Sequence, residues 1–80
     1  MVEIKVLGPG CVNCKRLEQI VNRVVESMGV EANVIKVTNY SVIVDLGVMQ
    51  TPGLIINNKV LSSGRIPAVE EVEDWIRAAK

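Results

Sequence analysis

Two aliphatic runs flank one long amphipathic stretch, and this arrangement leaves few folds open. Val2–Leu7 alternates, with Val2, Ile4 and Val6 on one face and Glu3 and Lys5 on the other, which predicts a strand. From about Val12 to Met28, the residues Cys14, Leu17, Val21, Val24 and Met28 recur at spacings of three and four, forming the inward stripe of a helix. Lys15, Arg16, Glu18, Asn22, Arg23 and Glu26 fall mostly on its wet side. Glu31–Val37 predicts a second strand. A strand, a helix and a strand in this order pair the two strands in parallel through a right-handed crossover.

The punctuation between elements extends the pattern. Gly8-Pro9-Gly10 ends the first strand and Gly29 supplies a left-handed stop for the helix. Asn39 as a cap and Gly47 as a stop predict a short helix over Tyr40–Leu46, against the strand propensity of Val42-Ile43-Val44. Gly53–Ile56 and Lys59–Leu61 predict two further strands, joined at Asn57-Asn58 by a tight hairpin, because asparagine tolerates positive φ. A last helix is expected to begin near Pro67, with Glu70 and Glu71 at its start and Arg77 and Lys80 at its end, each suiting the helix dipole. Val69, Val72, Trp75, Ile76 and Ala79 are expected to face the sheet. The order β-α-β-α-β-β-α predicts an α/β fold, a four-stranded mixed sheet flanked by helices, with residues 1–80 as a single domain.

Composition agrees and excludes some functions. Of 80 residues, 49% are hydrophobic, mostly valine, isoleucine and leucine, which suits a sheet covered by helices. Nine basic and nine acidic residues cancel, with no basic stripe, so nucleic acid is not an expected partner. No apolar run approaches the roughly 20 residues that span a bilayer, so no membrane partner is expected either. The N-terminus lacks the basic-then-apolar layout of a signal peptide, and a cytoplasmic location is expected. In a reducing compartment a close cysteine pair is catalytic or metal-binding more often than structural.

That pair is Cys11-Val12-Asn13-Cys14, after a glycine turn and at the start of the long helix. Cys11 is expected at the mouth of the helix, where free backbone N–H groups and the helix dipole stabilise an anion. A thiolate there is favoured relative to a free thiol of pKa about 8.5, and sites of this kind span roughly 3.5 to 7.5. Lys15 and Arg16 add positive charge. Cys14 falls one turn further in, on the buried stripe, which suits a resolving thiol. Cys11 would attack a substrate disulfide, Cys14 would release the product, and an outside reductant would reset the internal disulfide.

Other roles remain open for the pair. Two small buried hydrophobes is the plainest. Zinc needs about four ligands, and with two cysteines and no histidine a closed site would require a dimer or carboxylates. Two-coordinate Cu(I) is compatible with two thiolates, so a soft-metal binding or chaperone module is the alternative function. A second feature is Gly47-Val48-Met49-Gln50-Thr51-Pro52-Gly53, a proline directly before an aliphatic strand, where it marks a strand start or an ordinary turn. Only an X-Pro bond readily adopts the cis form.

Together these features resemble the thioredoxin superfamily: C-x-x-C after strand one, Thr51-Pro52 ahead of a β-hairpin, Ser63-Gly64-Arg65 after it, and a final helix. The likeness is greatest to the minimal thioredoxin-like and glutaredoxin-like redox proteins of bacteria and archaea, and it covers essentially the whole chain. It implies a protein disulfide reductase with Cys11 as nucleophile, Cys14 as resolving thiol, no cofactor and no metal. It implies a cis Pro52 packed against the disulfide, a Thr51 backbone that pairs with an extended substrate, and Gly10 and Gly64 near the same surface. The implied partners are disulfide-containing proteins and a reductase that the sequence does not identify.

The chain also departs from the family pattern. Gly10 stands where thioredoxins carry tryptophan, and Val12-Asn13 separates the cysteines in place of Gly-Pro or Pro-Tyr. The glutaredoxin glycine pair is reduced to Gly64-Arg65, which argues against glutathione binding. No residue matches the family's buried acid, for which Glu3 and Lys5 are candidates only if the outer face of strand one is covered. Against a soft-metal chaperone, Pro9 stands where such domains place methionine, and the chain ends on a predicted helix rather than a strand. A structural or regulatory subunit with vestigial thiols is the third possibility.

Overall fold

A computed structural model describes residues 1–79, so the expected contribution of Lys80 to the last helix lies outside the described residues. The elements follow the expected order: β1 (Val2–Leu7), α1 (Val12–Met28), β2 (Ala32–Val37), α2 (Tyr40–Asp45), β3 (Gly53–Ile56), β4 (Lys59–Ser63) and α3 (Val69–Ala79). The sheet order is β2-β1-β3-β4, with β1 and β2 parallel and the other pairs antiparallel. It is a four-stranded mixed sheet.

The even positions of β1 face α1 and α3. Val2, Ile4 and Val6 join Leu17, Val21 and Val24 of α1, Leu54 and Ile56 of β3, and Val72 and Ile76 of α3 in one core. A smaller cluster lies on the opposite face, where Ile43 of α2 packs with Leu7, Val48 and Ile55. That contact holds α2 in a helix despite its β-branched run. Ile43 is buried, Asn39 Oδ1 accepts the Ser41 N–H at 2.9 Å, and the flanking Val42 and Val44 remain exposed.

Four boundaries differ from expectation, among them the end of α2, which stops at Asp45 rather than Leu46. The last helix starts at Val69 rather than near Pro67. Pro67 is fully buried, and the helix is capped one residue later: the Ala68 carbonyl accepts the Val72 N–H, and the Glu71 carboxylate accepts the Ala68 N–H at 3.1 Å. Strand β4 runs on to Ser63 because a bulge beside Leu54/Ile55 lets Leu54 pair with Ser62 while Ile55 pairs with Val60. Strand β2 begins one residue later than expected, at Ala32. Asn57 and Asn58 take φ of 48° and 68°, the left-handed pair that a two-residue hairpin needs.

The registers matter for the site. Leu7 pairs with Gly53, and Gly53 pairs with Ser63. The residues just past these partners, Gly8, Pro52 and Gly64, therefore come side by side at one end of the sheet, beside the start of α1.

Candidate active site

Cys11 is the residue that caps α1. Its backbone is extended (φ −66°, ψ 168°), its Sγ accepts the Cys14 N–H at 3.2 Å, and its carbonyl accepts the Lys15 N–H at 3.0 Å. The sulfur thus takes the place of a serine or aspartate cap and satisfies one of the N–H groups that the helix start leaves free. Gly10, at φ 96°, turns the chain from the end of β1 into this cap, a backbone conformation that side-chain-bearing residues resist.

The two cysteines form a disulfide, with their Cα atoms 5.0 Å apart. Their environments differ as the helical stripe predicts. Cys11 is exposed, whereas Cys14 retains 5% of its surface and sits on the same face as Leu17 and Val21. An attacking reagent therefore meets Cys11 before Cys14.

The remaining expected residues converge here. The Thr51–Pro52 peptide is cis, as the resemblance implied, and Pro52 is buried. The Gly64 N–H donates to the Pro52 carbonyl at 2.9 Å, and Gly64 itself has φ 75°. A Cβ at Gly64 would collide with the Gln50 side chain, so this loop is closed tightly over the segment leading to Thr51. Gly10 lines a small cleft with Gly8, Cys14, Lys15, Glu18 and Lys36.

Gly8 is a residue that sequence reasoning missed. It is buried, and its N–H donates to Val37 at 2.9 Å. A Cβ built on it would overlap Cys14 Sγ and lie 3.0 Å from Cys14 Cβ and 3.8 Å from Thr51 Cβ. Gly8 is thus the point at which strand β1, the inner cysteine and the Thr51 loop approach one another. In the sequence it reads only as part of a strand-breaking Gly-Pro-Gly.

Glu18 was also missed. It is half-buried, one turn beyond Cys14, and pairs with Lys36 at 3.1 Å in the cleft that Cys14 lines. The spacing of four from Cys14 was the available signal, since residues so placed are neighbours on a helix. Neither earlier candidate supplies a buried acid. Glu3 is 45% exposed and is paired with the adjacent Lys5 at 3.5 Å.

Comparison with known proteins decides the family. A thioredoxin domain family matches residues 2–77. The chain is 33% identical to a thioredoxin of Methanocaldococcus jannaschii, covering 98% of this chain and 90% of that protein. It is 30% identical to a thioredoxin of Methanothermobacter thermautotrophicus, covering 91% and 95%. The chain belongs to the thioredoxin family.

The fold agrees with thioredoxins of known structure. The thioredoxin-2 described as a component of malaria parasite protein secretion machinery superposes with a TM-score of 0.74 at 16% identity, over 98% of this chain and 82% of that one. The germline-specific thioredoxin Deadhead of Drosophila melanogaster gives 0.70 at 16% identity, over 96% and 79%. With family membership and a joined C-x-x-C pair at the helix mouth, this thioredoxin-family chain is a thiol–disulfide oxidoreductase.

Proposed function

We propose that the chain reduces disulfides in other proteins, with Cys11 as nucleophile and Cys14 as resolving thiol. The observation that carries this reading is the asymmetry of the pair: Cys11 exposed as the helix cap, Cys14 5% exposed and one turn inward. In the reduced protein the Cys11 thiolate attacks one sulfur of a substrate disulfide. That bond breaks, a mixed disulfide forms, and the second substrate sulfur leaves as a thiolate and takes a proton. Cys14, deprotonated, then attacks Cys11 Sγ. The Cys11–Cys14 bond forms and the first substrate sulfur leaves, so two electrons have passed from the dithiol to the substrate. An external dithiol reductant returns the two electrons.

The surrounding residues have supporting roles in this reading. In this reading the buried Pro52 holds the Thr51 loop, whose Cβ would lie 3.8 Å from a Cβ at Gly8, towards the disulfide, and the Thr51 backbone offers its hydrogen bonds to an extended substrate chain. Gly10 leaves its part of that surface free of a side chain, and Gly64 makes room for the Gln50 side chain that packs over it. The reaction needs a reducing compartment, and the cytoplasm supplies one. Among the described residues no helix is long and apolar enough to cross a membrane.

Replacement of each cysteine tests the mechanism. Cys14→Ser keeps the attacker and loses the resolver, so it accumulates a covalent complex with a disulfide substrate, visible on a non-reducing gel and dissolved by dithiothreitol. Cys11→Ser traps nothing. A soft-metal carrier loses its cargo with either substitution and traps nothing. Trapping through Cys14, or equal behaviour of the two variants, overturns the assignment.

A further inference from the structure

A groove of about 330 Å³ runs beside the site and takes no part in the reaction described above. Its lining is Arg16, Gln19, Ile20 and Arg23 from α1 with Ile66 and Val69 from the segment that enters α3. The floor is aliphatic: Ile20 and Ile66 are half-buried and Val69 is 40% exposed. The rim is basic. Arg16 and Arg23 are exposed, neither is among the ion pairs of the described residues, and no carboxylate lines the groove. The nearby Arg65, by contrast, is held by Glu71 through two hydrogen bonds of 3.1 and 2.9 Å.

Both walls lead away from the redox centre. One is α1 itself, which starts at Cys11. The other follows Gly64, whose N–H is bonded to the Pro52 carbonyl, by two residues. We propose that this groove is a docking site for an acidic, otherwise apolar stretch of the disulfide-bearing polypeptide, held by Arg16 and Arg23 over the Ile20, Ile66 and Val69 floor. The proposal rests on the reading that protein disulfides are the substrates.

The helix sets the spacing. At about 1.5 Å per residue, Arg16 lies about 7 to 8 Å beyond Cys11 along α1 and Arg23 about 18 Å. An extended chain advances about 3.3 Å per residue. A polypeptide attached through its cysteine to Cys11 therefore brings its second or third residue to Arg16 and its fifth or sixth to Arg23. Carboxylates at those positions, with aliphatic residues between, match the groove in charge and in surface.

The test uses disulfide-linked peptides with glutamates two and five positions from the reactive cysteine, placed on its N-terminal side in one peptide and on its C-terminal side in another. Control peptides carry lysine or glutamine at the same positions. Dithiodiethanol, small and uncharged, reports the chemistry alone. Exposed arginine–carboxylate pairs contribute a factor of about two to five each, so the wild type should favour one acidic peptide about tenfold in KM with kcat unchanged. Arg23→Gln, about 18 Å along the helix from Cys11, should weaken that preference about two- to fivefold and leave dithiodiethanol reduction as it was, and adding Arg16→Gln should abolish the preference. High salt should do the same. Binding is also scored by fluorescence anisotropy with serine in place of the peptide cysteines, so that it needs no turnover. Loss of dithiodiethanol reduction in the wild type would refute the redox assignment, while the anisotropy would still score the groove. Equal binding of acidic and lysine peptides, or a preference that survives both substitutions, would overturn the proposal. So would self-association of the wild type that the two substitutions abolish, since a second copy would then be the occupant.

Discussion

Gly8→Ala is the substitution with the most specific expected effect, because its new methyl group has one main obstacle. The added Cβ overlaps Cys14 Sγ and stands 3.0 Å from Cys14 Cβ, while Thr51 Cβ at 3.8 Å is an ordinary contact. Overpacking of this kind costs about 1–3 kcal/mol. Loss of unfolded-state freedom on replacing glycine returns about 0.4–1 kcal/mol. The net loss in the oxidised protein is therefore about 1–2 kcal/mol. In the reduced protein Cys14 Sγ is no longer tied to Cys11 and its side chain is able to rotate away from the methyl, so less is lost. A difference between the two states appears directly as redox potential, with about 30 mV for every 1.4 kcal/mol. Since the oxidised state suffers more, the potential of Gly8→Ala should rise, becoming less negative by up to about 40 mV. Urea unfolding of each redox state, together with equilibration in dithiothreitol buffers, measures both quantities. Gly10→Ala is the control: nothing lies within 4 Å of its Cβ, and its φ of 96° is strained by any side chain. It should destabilise both states alike and leave the potential unchanged. Equal losses in the two states of Gly8→Ala, or a more negative potential, would refute the claim that Gly8 makes room for the inner sulfur.

Two further outcomes are expected. In the reduced protein, Glu18→Gln leaves the Lys36 ammonium unopposed in the cleft and should speed alkylation of Cys14 about two- to fivefold at fixed pH, whereas Lys36→Gln should slow it; changes of the same sign in both would remove the electrostatic argument. The Glu71 carboxyl is held below its ordinary pKa, first by the Arg65 hydrogen bond and then by the Ala68 N–H, so its stabilising contribution is complete above the usual glutamate range and is lost as pH falls through the depressed native value. Acid unfolding of Glu71→Gln should lack that part of the pH dependence, and an unchanged curve would show that the pair contributes nothing measurable.

What was legible in the sequence, and what was not, divides along a physical line. Helix α1 was read to its ends because three local signals coincide there: a stripe at helical spacing, the Gly8-Pro9-Gly10 break just before it and a left-handed glycine at position 29. The hairpin at Asn57-Asn58 was equally local. The start of α3 was misjudged because Pro67 suits a first helical turn by its φ, yet its ring is wanted in the core. Burial overrode propensity, and the cap moved to Ala68 with Glu71. The bulge in β4 had no local mark at all, since it arises from pairing with β3. The site shows the same division. Cys11 and Cys14 declare themselves through spacing and helix position, because the chemistry needs one sulfur on the free N–H groups and the other within reach one turn away. Gly8 carries no such mark, and the spacing of Glu18 from Cys14 does not reveal its Lys36 partner. Their importance is created when the register brings Gly8, Pro52 and Gly64 into one row and when β2 lies alongside α1. The groove of Arg16 and Arg23 follows the same rule: as part of α1 the two arginines are ordinary solvated charges, and only the packing of Ile66 and Val69 against that helix gives them an apolar floor to guard. The redox pair can therefore be carried by a short segment, but discrimination among its substrates requires the whole fold.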